Sequence, residues 1–439
     1  MDKLPPELKI AIVQQLRLSI TDLKHVRLVC KDLAYYAAEF LFEEVLVFMT
    51  ELSFTNLEAI ARHPIFRHKV DTVIFFPAVL EDRFSTEEAY LRQVSEIQYL
   101  DGDLGPWRFN NEGRLVLTPD EKEAGHARCV SICREQTDIR SNGEARLRNA
   151  LSTLSKLDQV IAAFIENYLV GDRFVDLPKT LQSIITGCHM PFGQHADGPY
   201  NSEDLLMFIR AVAGSGVRLQ SFWISNDPEG FDCGFLEMSE ADFALASQVF
   251  SSIRDLGLVL DYDDDRYLQD VLETGCCRRL MEQAPLISLK IGLASLRYPI
   301  PILPSVFGTH TWPKLQVLHL DNIIVDGLEL ASLIQRHRST LKHLSLIRVT
   351  LSTGSWYDVF TAGLRGLRLQ TLSLCRLSIP IPSLPDPESE DTILDALKIG
   401  EELAEFFRSV LVVPGLQIYY AHFQTHWALT RNPPNSFRI

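Results

Sequence analysis

Hydrophobic residues recur at helical spacing from the start of the chain. Pro5 and Pro6 precede the pattern, and because proline is tolerated in the first turn of a helix but not in its interior, they predict a helix start. Leu8, Ile12 and Leu16 then follow at intervals of four residues and form one apolar stripe. The opening stretch therefore predicts a first amphipathic helix.

Two further helices and a strand are predicted next. Ser19, Thr21 and Asp22 are residues that cap helices, and they precede a second helix whose apolar face is Leu23, Val26, Val29, Cys30 and Leu33. A third short helix carries Tyr36, Ala37, Phe40 and Leu41. It leads into VLVF, a β-branched run that predicts a strand.

Residues 84–165 are predicted to be mostly helical. Within them, TPDE at 118–121 places a Thr cap, a Pro at the first helical position and a Glu three residues after the cap. This combination marks the start of a helix.

A Leu-x-x-Leu-x-(Leu/Ile) pattern repeats in the second half of the chain. Its clear copies start 29, 26 and 28 residues apart, at Leu286/Leu289/Ile291, Leu315/Leu318/Leu320, Leu341/Leu344/Leu346 and Leu369/Leu372/Leu374. Looser copies are Leu157/Val160, Leu181/Ile184 and Leu219/Phe222/Ile224. Single copies occur by chance, but a near-constant spacing is typical of leucine-rich repeats, in which each repeat supplies a strand and a helical or irregular return.

The expected fold class is α/β, with a three-helix unit at 1–45, a strand and helical linking region at 46–153, and an irregular repeat domain at 154–439. The clearest repeats fall at 286–378. A proline- and acid-rich loop is predicted at 379–391. Leu394, Leu397, Leu403, Phe406, Phe407 and Val410 then predict a C-terminal capping helix.

Charge and composition indicate which classes of partner and which compartment to expect. The 439-residue chain has a net charge of -15 and no basic block, which disfavours nucleic acid and anionic membrane as partners. Residues 1–31 nevertheless hold six Lys/Arg against three Asp/Glu. No signal-peptide or membrane-spanning pattern is present, and eight scattered cysteines do not form a disulfide framework, so we expect a cytoplasmic or nuclear protein.

No catalytic or phosphate-binding motif is found. Three weaker features could suggest a zinc site, a calcium loop or a nucleophile, but each is better explained as ordinary packing or an exposed loop. His126, Cys129 and Cys133 lie at helical spacings that place them on one face, and Cys188 and His189 are candidates for a further zinc ligand, but the paired ligands of a structural zinc site are missing. DYDDD at 261–265 lacks the glycine and glutamate of a calcium loop. Ser215 has no base placed near it. We therefore expect no metal, no cofactor and no enzyme activity.

The opening stretch resembles the F-box, on LPPEL, Ile12, Leu16, Leu23, RLVCK and Leu33. The link RLSITD is longer than is usual in that motif. An F-box followed by degenerate leucine-rich repeats is similar to a large class of fungal proteins. The resemblance implies a non-catalytic substrate receptor of an SCF-type ubiquitin ligase, whose partners are the adaptor, the cullin and an unknown target protein. The implied adaptor-binding residues are Leu4, Pro5, Leu8, Ile12, Leu16, Leu23, Val29, Cys30 and Leu33.

Target contacts are expected on the repeat strands, at the positions that alternate with the core leucines. These are Lys290, Val317, His319, Asp321, His343, Ser345, Thr371 and Ser373. Three alternatives remain open from the sequence. The helical hairpin could simply cap the repeat stack, the chain could be a scaffold outside any ligase, or an enzyme site could form from the loops PFGQHADGPY and SNDPEGFDCG.

Overall fold

The structure is a computed structural model of the 439-residue chain. It describes residues 4–16, 20–77, 80, 82–96, 108, 110, 112–163, 179–189, 202–224, 231–261, 265–293, 306–364, 366–375, 377 and 417–421. The predicted loop at 379–391 and the predicted capping helix at 394–410 lie outside these residues.

Three short helices form the N-terminal unit: α1 (Pro6–Leu16), α2 (Ile20–Val26) and α3 (Lys31–Leu41). The helix start at the proline pair is confirmed. The second helix is shorter than predicted, because the chain turns at residues 27–29 and Cys30 is extended, so that Leu33 belongs to α3. Val13, Leu23, Leu33 and Ala37 form a core of this unit alone.

The predicted α/β class is confirmed by a large parallel sheet. Its strands follow chain order, β1-β2-β3-β4-β6-β7-β8-β10-β12-β13, with β5 paired to β6, and each described pair is parallel. The strand bounds are Glu44–Phe48 (β1), Thr72–Phe76 (β2), Gln159–Ala162 (β3), Ser221–Ile224 (β4), Phe231–Asp232 (β5), Asp255–Asp261 (β6), Ser288–Leu293 (β7), Val317–Asp321 (β8), Ile324–Asp326 (β9), His343–Ile347 (β10), Thr350–Thr353 (β11), Thr371–Cys375 (β12) and Gln417–Ala421 (β13). β9 and β11 pair separately as a two-stranded sheet.

Helices occupy most of the described connections between strands. Their bounds are Glu51–Arg62 (α4), Glu87–Glu96 (α5), Pro119–Leu151 (α6), Lys179–Cys188 (α7), Ser202–Ser215 (α8), Glu240–Phe250 (α9), Asp265–Glu273 (α10), Cys276–Gln283 (α11), Gly327–Arg336 (α12) and Trp356–Gly363 (α13). The predicted capping box is confirmed at the start of α6, where the Thr118 hydroxyl accepts from the Glu121 N–H and the Glu121 carboxylate accepts from the Thr118 N–H.

The repeat leucines are buried as predicted. All twelve residues of the four clear copies lie in one hydrophobic core that runs from Val45 to Leu377. On β8, β10 and β12 buried residues alternate with half-buried ones, which is the period-two pattern of a strand with one face on a core.

Three features of the repeat pattern differ from the prediction. Leu181 and Ile184 lie in helix α7, so this loose copy is not a strand. Strand β6 was not predicted, although Ile253, Leu256 and Leu258 carry the repeat spacing, because isoleucine replaces leucine at the first position. The sheet also begins at Glu44 with β1, so that region 46–153 contributes β2 and most of β1 to it.

Candidate functional site

The N-terminal unit exposes large apolar side chains. Leu8 and Val29 are each 52% exposed, and Leu28 is 84% exposed. Lys9 Nζ lies 2.5 Å from Asp32 Oδ2, which ties the first turn of α1 to the first turn of α3. Because Leu8 adjoins Lys9 and Val29 lies three residues before Asp32, the backbone positions of both exposed residues are near this ion pair. Exposed apolar side chains are a feature of protein-binding surfaces.

The predicted adaptor-binding residues divide into two groups. Pro5, Leu8 and Val29 are exposed, and Leu4 and Ile12 are half-buried. Leu23 and Leu33 are enclosed in the core of the unit, and Leu16 and Cys30 pack against that core. The enclosed pair cannot present a side chain to a partner, so we remove Leu23 and Leu33 from the contact set. Leu28 was not among the predicted adaptor-binding residues, because the sequence placed it inside the second helix.

A second candidate surface is the sheet face that carries the residues alternating with the core leucines, here called the outer face. In-register pairing aligns Lys290, His319, Ser345 and Ser373 across four neighbouring strands. A second row aligns Val317, His343 and Thr371, and Asp321 follows His319 on the same face. The structure thus brings all eight predicted target-binding residues onto one face.

The polar groups of the outer face are bonded to one another. Arg348 donates from Nε to Asp321 Oδ1 at 2.9 Å, and His343 Nδ1 lies 2.8 Å from Thr371 Oγ1. Burial and the nearby Lys290 charge lower the pKa of His319 to about 4, with Asp321 opposing them. His319 is therefore neutral near pH 7, and the charges beside it on the outer face are those of Lys290 and of the Asp321–Arg348 pair.

Trp223 borders this row, and sequence reasoning did not select it as a site residue. Its strand pairs with β6 so that Trp223 lies opposite Gly257, which in turn lies opposite Lys290. The indole Nε1 donates to Asp255 Oδ2 at 3.1 Å, and Lys290 Nζ lies 5.8 Å from the ring centroid. The half-buried indole provides an aromatic contact beside the polar row.

The structure also describes the cysteine- and histidine-bearing face of α6 and the residue Ser215. Cys129 and Cys188 are buried, and the hydrogen bond that the Cys129 thiol makes to Cys188, together with burial, raises the pKa of Cys129. His126 lies against the Ser85 carbonyl, with 3.1 Å from Nε2 to the oxygen. Among the described residues, no group of three His, Cys, Asp or Glu side chains is arranged to hold a metal ion. Ser215 Oγ donates to the Val212 carbonyl within its own helix, at 2.7 Å.

Parts of two other predicted features lie outside the described residues. Of DYDDD, residues 262–264 lie outside, and Asp265 begins helix α10. The loop 191–200 is likewise outside, as is 225–230 of the second loop. Residues 231–234 of that loop form β5 and the start of a 3₁₀ helix.

Comparison with known proteins gives no family assignment: no protein-family model matches the chain, and no curated protein matches it at a significant level. Across the described part of the chain, no helix is long and apolar enough to span a membrane.

Proposed function

We propose that this protein is the substrate-recognition subunit of an SCF-type ubiquitin ligase. In this proposal the three-helix unit is an F-box that docks on the adaptor, and the parallel sheet is an irregular leucine-rich-repeat domain that holds the target. The observation that carries the proposal is that the unit has its own core and still exposes Leu8, Leu28 and Val29.

This observation favours docking over capping. A terminal cap would bury its apolar residues against the first strand of the sheet, because covering that strand is what a cap is for. Here Val13, Leu23 and Leu33 pack within the unit, in a cluster distinct from the core of the sheet. Leu8, Leu28 and Val29 are left at the surface and are available to a partner.

Charge supports the same proposal. Residues 1–31 carry six basic and three acidic residues in a chain whose net charge is -15. The adaptor of F-box proteins is acidic, as the resemblance implies. Complementary charge of this kind speeds association and selects partners more than it adds affinity.

The proposed receptor performs no bond chemistry. It raises the effective concentration of a target lysine near a ubiquitin-charged enzyme carried by the same assembly. The outer face suits target binding because its polar side chains stand in register over several strands, next to the indole of Trp223. Such an extended surface is what stacked repeats commonly provide for recognition.

The first experiment tests adaptor docking with full-length protein. Affinity-tagged wild type is expected to recover the adaptor and the cullin, whereas Leu8→Asp and Val29→Asp lose both. Leu328→Asp is the matched control, because Leu328 is 73% exposed on α12, away from the three-helix unit. Failure of the wild type to recover the adaptor would contradict the proposal and favour a scaffold outside any ligase, as would unchanged recovery by Val29→Asp.

A second experiment tests target binding on the outer face. Proximity labelling of wild type is compared with Ser345→Arg and Ser373→Arg, which place long charged side chains in the central row. The control is Ser332→Arg, at an exposed position of α12. We expect the outer-face variants to lose a set of labelled proteins while keeping the adaptor. An identical set in all variants would place target binding elsewhere on the chain.

A further inference from the structure

Arg27 lies in the turn that carries the exposed docking residues. This turn, residues 27–29, joins α2 to α3, and its backbone N–H groups donate to the carbonyls of Leu23, His25 and Val26. Two of its three side chains, Leu28 and Val29, are exposed. The third, Arg27, points to the sheet domain instead.

The Arg27 guanidinium lies beside a stack of aromatic rings. Its central carbon is 5.9 Å from the centroid of Phe42 and 5.4 Å from that of Phe66. The two rings stack with their centroids 4.1 Å apart, and His63 stacks on Phe66 at 3.7 Å. Both distances from Arg27 are within the roughly 6 Å at which a guanidinium is attracted to an aromatic ring.

This stack joins two parts of the molecule. Phe42 is in the short link between α3 and β1 and packs against the core of the sheet, while Phe66 opens a 3₁₀ helix after α4. Lys69 Nζ, 4.7 Å from the ring of Tyr35 on α3, adds a second cation–ring contact between the same two parts. The docking turn is therefore held by the first strand–helix unit of the sheet as well as by its own helices.

We propose that Arg27 is a positioning residue, which fixes the Leu28–Val29 turn in its binding conformation through its contacts with Phe42 and Phe66. Its use in adaptor recognition rests on the proposed function, but the ordering of the turn does not. A turn that is already ordered binds more tightly, because less conformational freedom is lost on association.

Hydrogen exchange of the unbound full-length chain tests the ordering directly. In Arg27→Met, which keeps a long apolar side chain and removes the charge, the amides of residues 27–29 are expected to exchange about fivefold faster. Phe66→Leu is expected to act in the same direction through the other partner of the contact. Arg62→Met is the matched control, since Arg62 is a largely exposed arginine on the neighbouring α4. Exchange that is unchanged in both test variants would overturn the proposal.

Adaptor capture supplies the second readout. Arg27→Met is expected to weaken binding of purified adaptor about fivefold, because the turn is less ordered before binding. The side chains of Leu28 and Val29 are unchanged in this variant. Faster exchange without any adaptor binding by the wild type would refute the ligase function and keep the positioning role. Faster exchange with undiminished adaptor affinity would show that the ordering does not serve docking.

Discussion

His337 accepts a hydrogen bond from the backbone N–H of Trp312, with 3.0 Å between nitrogen and Nε2. Its Nδ1 lies 2.9 Å from the Leu333 carbonyl oxygen, so Nδ1 carries the proton and the imidazole is neutral. The indole of Trp312 stacks on the imidazole and donates to the Met281 carbonyl. His337 thus links α12 with the segment before β8, and Trp312 links that segment with α11.

Acidification is expected to weaken the fold through this histidine. Burial, opposed by the Leu333 carbonyl, lowers the pKa of His337, and the pKa of His319 is also lowered, to about 4. Below about pH 6.5 the unfolded chain therefore binds protons that the folded chain does not, so the free energy of unfolding falls as the pH falls. Denaturant unfolding between about pH 7.5 and 5.5 measures this, and His337→Gln should show a smaller pH dependence. An equal dependence in that variant would exclude His337 as a source.

Arg140→Met is expected to lower the free energy of unfolding by about 3 kcal/mol. Asp204 is fully buried, and in this variant it loses both hydrogen bonds from the Arg140 guanidinium. Arg140 also pairs with Asp82 at 2.9 Å, which ties the 3₁₀ helix after β2 to α6. Arg92→Met is the control, since its pair with Glu88 is exposed and is expected to contribute less than about 1 kcal/mol. Urea unfolding of the two variants should separate them clearly; similar losses would argue against the buried pair as the cause.

Gly257→Ala is expected to cost about 1–3 kcal/mol and to displace Trp223 from the outer face. A Cβ atom at this position would lie 2.3 Å from Cε3 of the Trp223 ring, far inside van der Waals contact. Thermal unfolding and the change in tryptophan emission report the two effects. Gly187→Ala on α7 is the matched control, because its nearest contact is an ordinary 3.4 Å to the flexible Arg128 side chain. An equal loss in the control would point to a general backbone effect.

Leu23→Ala is expected to destabilise the three-helix unit by about 2–4 kcal/mol while leaving the sheet intact, because Leu23 belongs only to the smaller core. Hydrogen exchange should show faster exchange in α1–α3 and unchanged exchange in β7–β12. Leu344→Ala should produce the opposite distribution, since Leu344 is buried in the core of the sheet. Parallel losses in both regions would show that the two cores unfold together.

The sequence predicted the parts of the fold that depend on local periodicity. The repeat leucines and the residues that alternate with them follow directly from the period of a strand, and the Thr118 cap follows from side-chain chemistry at one helix start. Strand β6 was missed because its copy of the repeat spacing begins with Ile253 in place of leucine, before Leu256 and Leu258. Leu181 and Ile184 matched the spacing of two leucines, but two positions cannot distinguish a strand from a helix.

Side-chain partners between distant elements were beyond sequence reasoning. The contact of Trp223 with Gly257 depends on the register between β4 and β6, which pairs Phe222 with Leu256 and Ile224 with Leu258. This register could not be predicted while the copy that begins at Ile253 went unrecognised. The orientation of α1 was also open, because apolar residues occupy several of its faces. Packing buries Val13 and the paired Lys9, and it leaves Leu8 exposed, although Leu8 headed the predicted stripe.

The strands of the large sheet are paired in chain order, and this order bears on where the chain can accept insertions during evolution. Nearly every strand of the large sheet bonds only to the strand before it and the strand after it. The connection between β2 and β3 contains the 33-residue helix α6, yet the two strands keep unbroken register. Segments of very different length can therefore be accommodated between strands, so a sheet of this design can gain new elements without rebuilding the old ones.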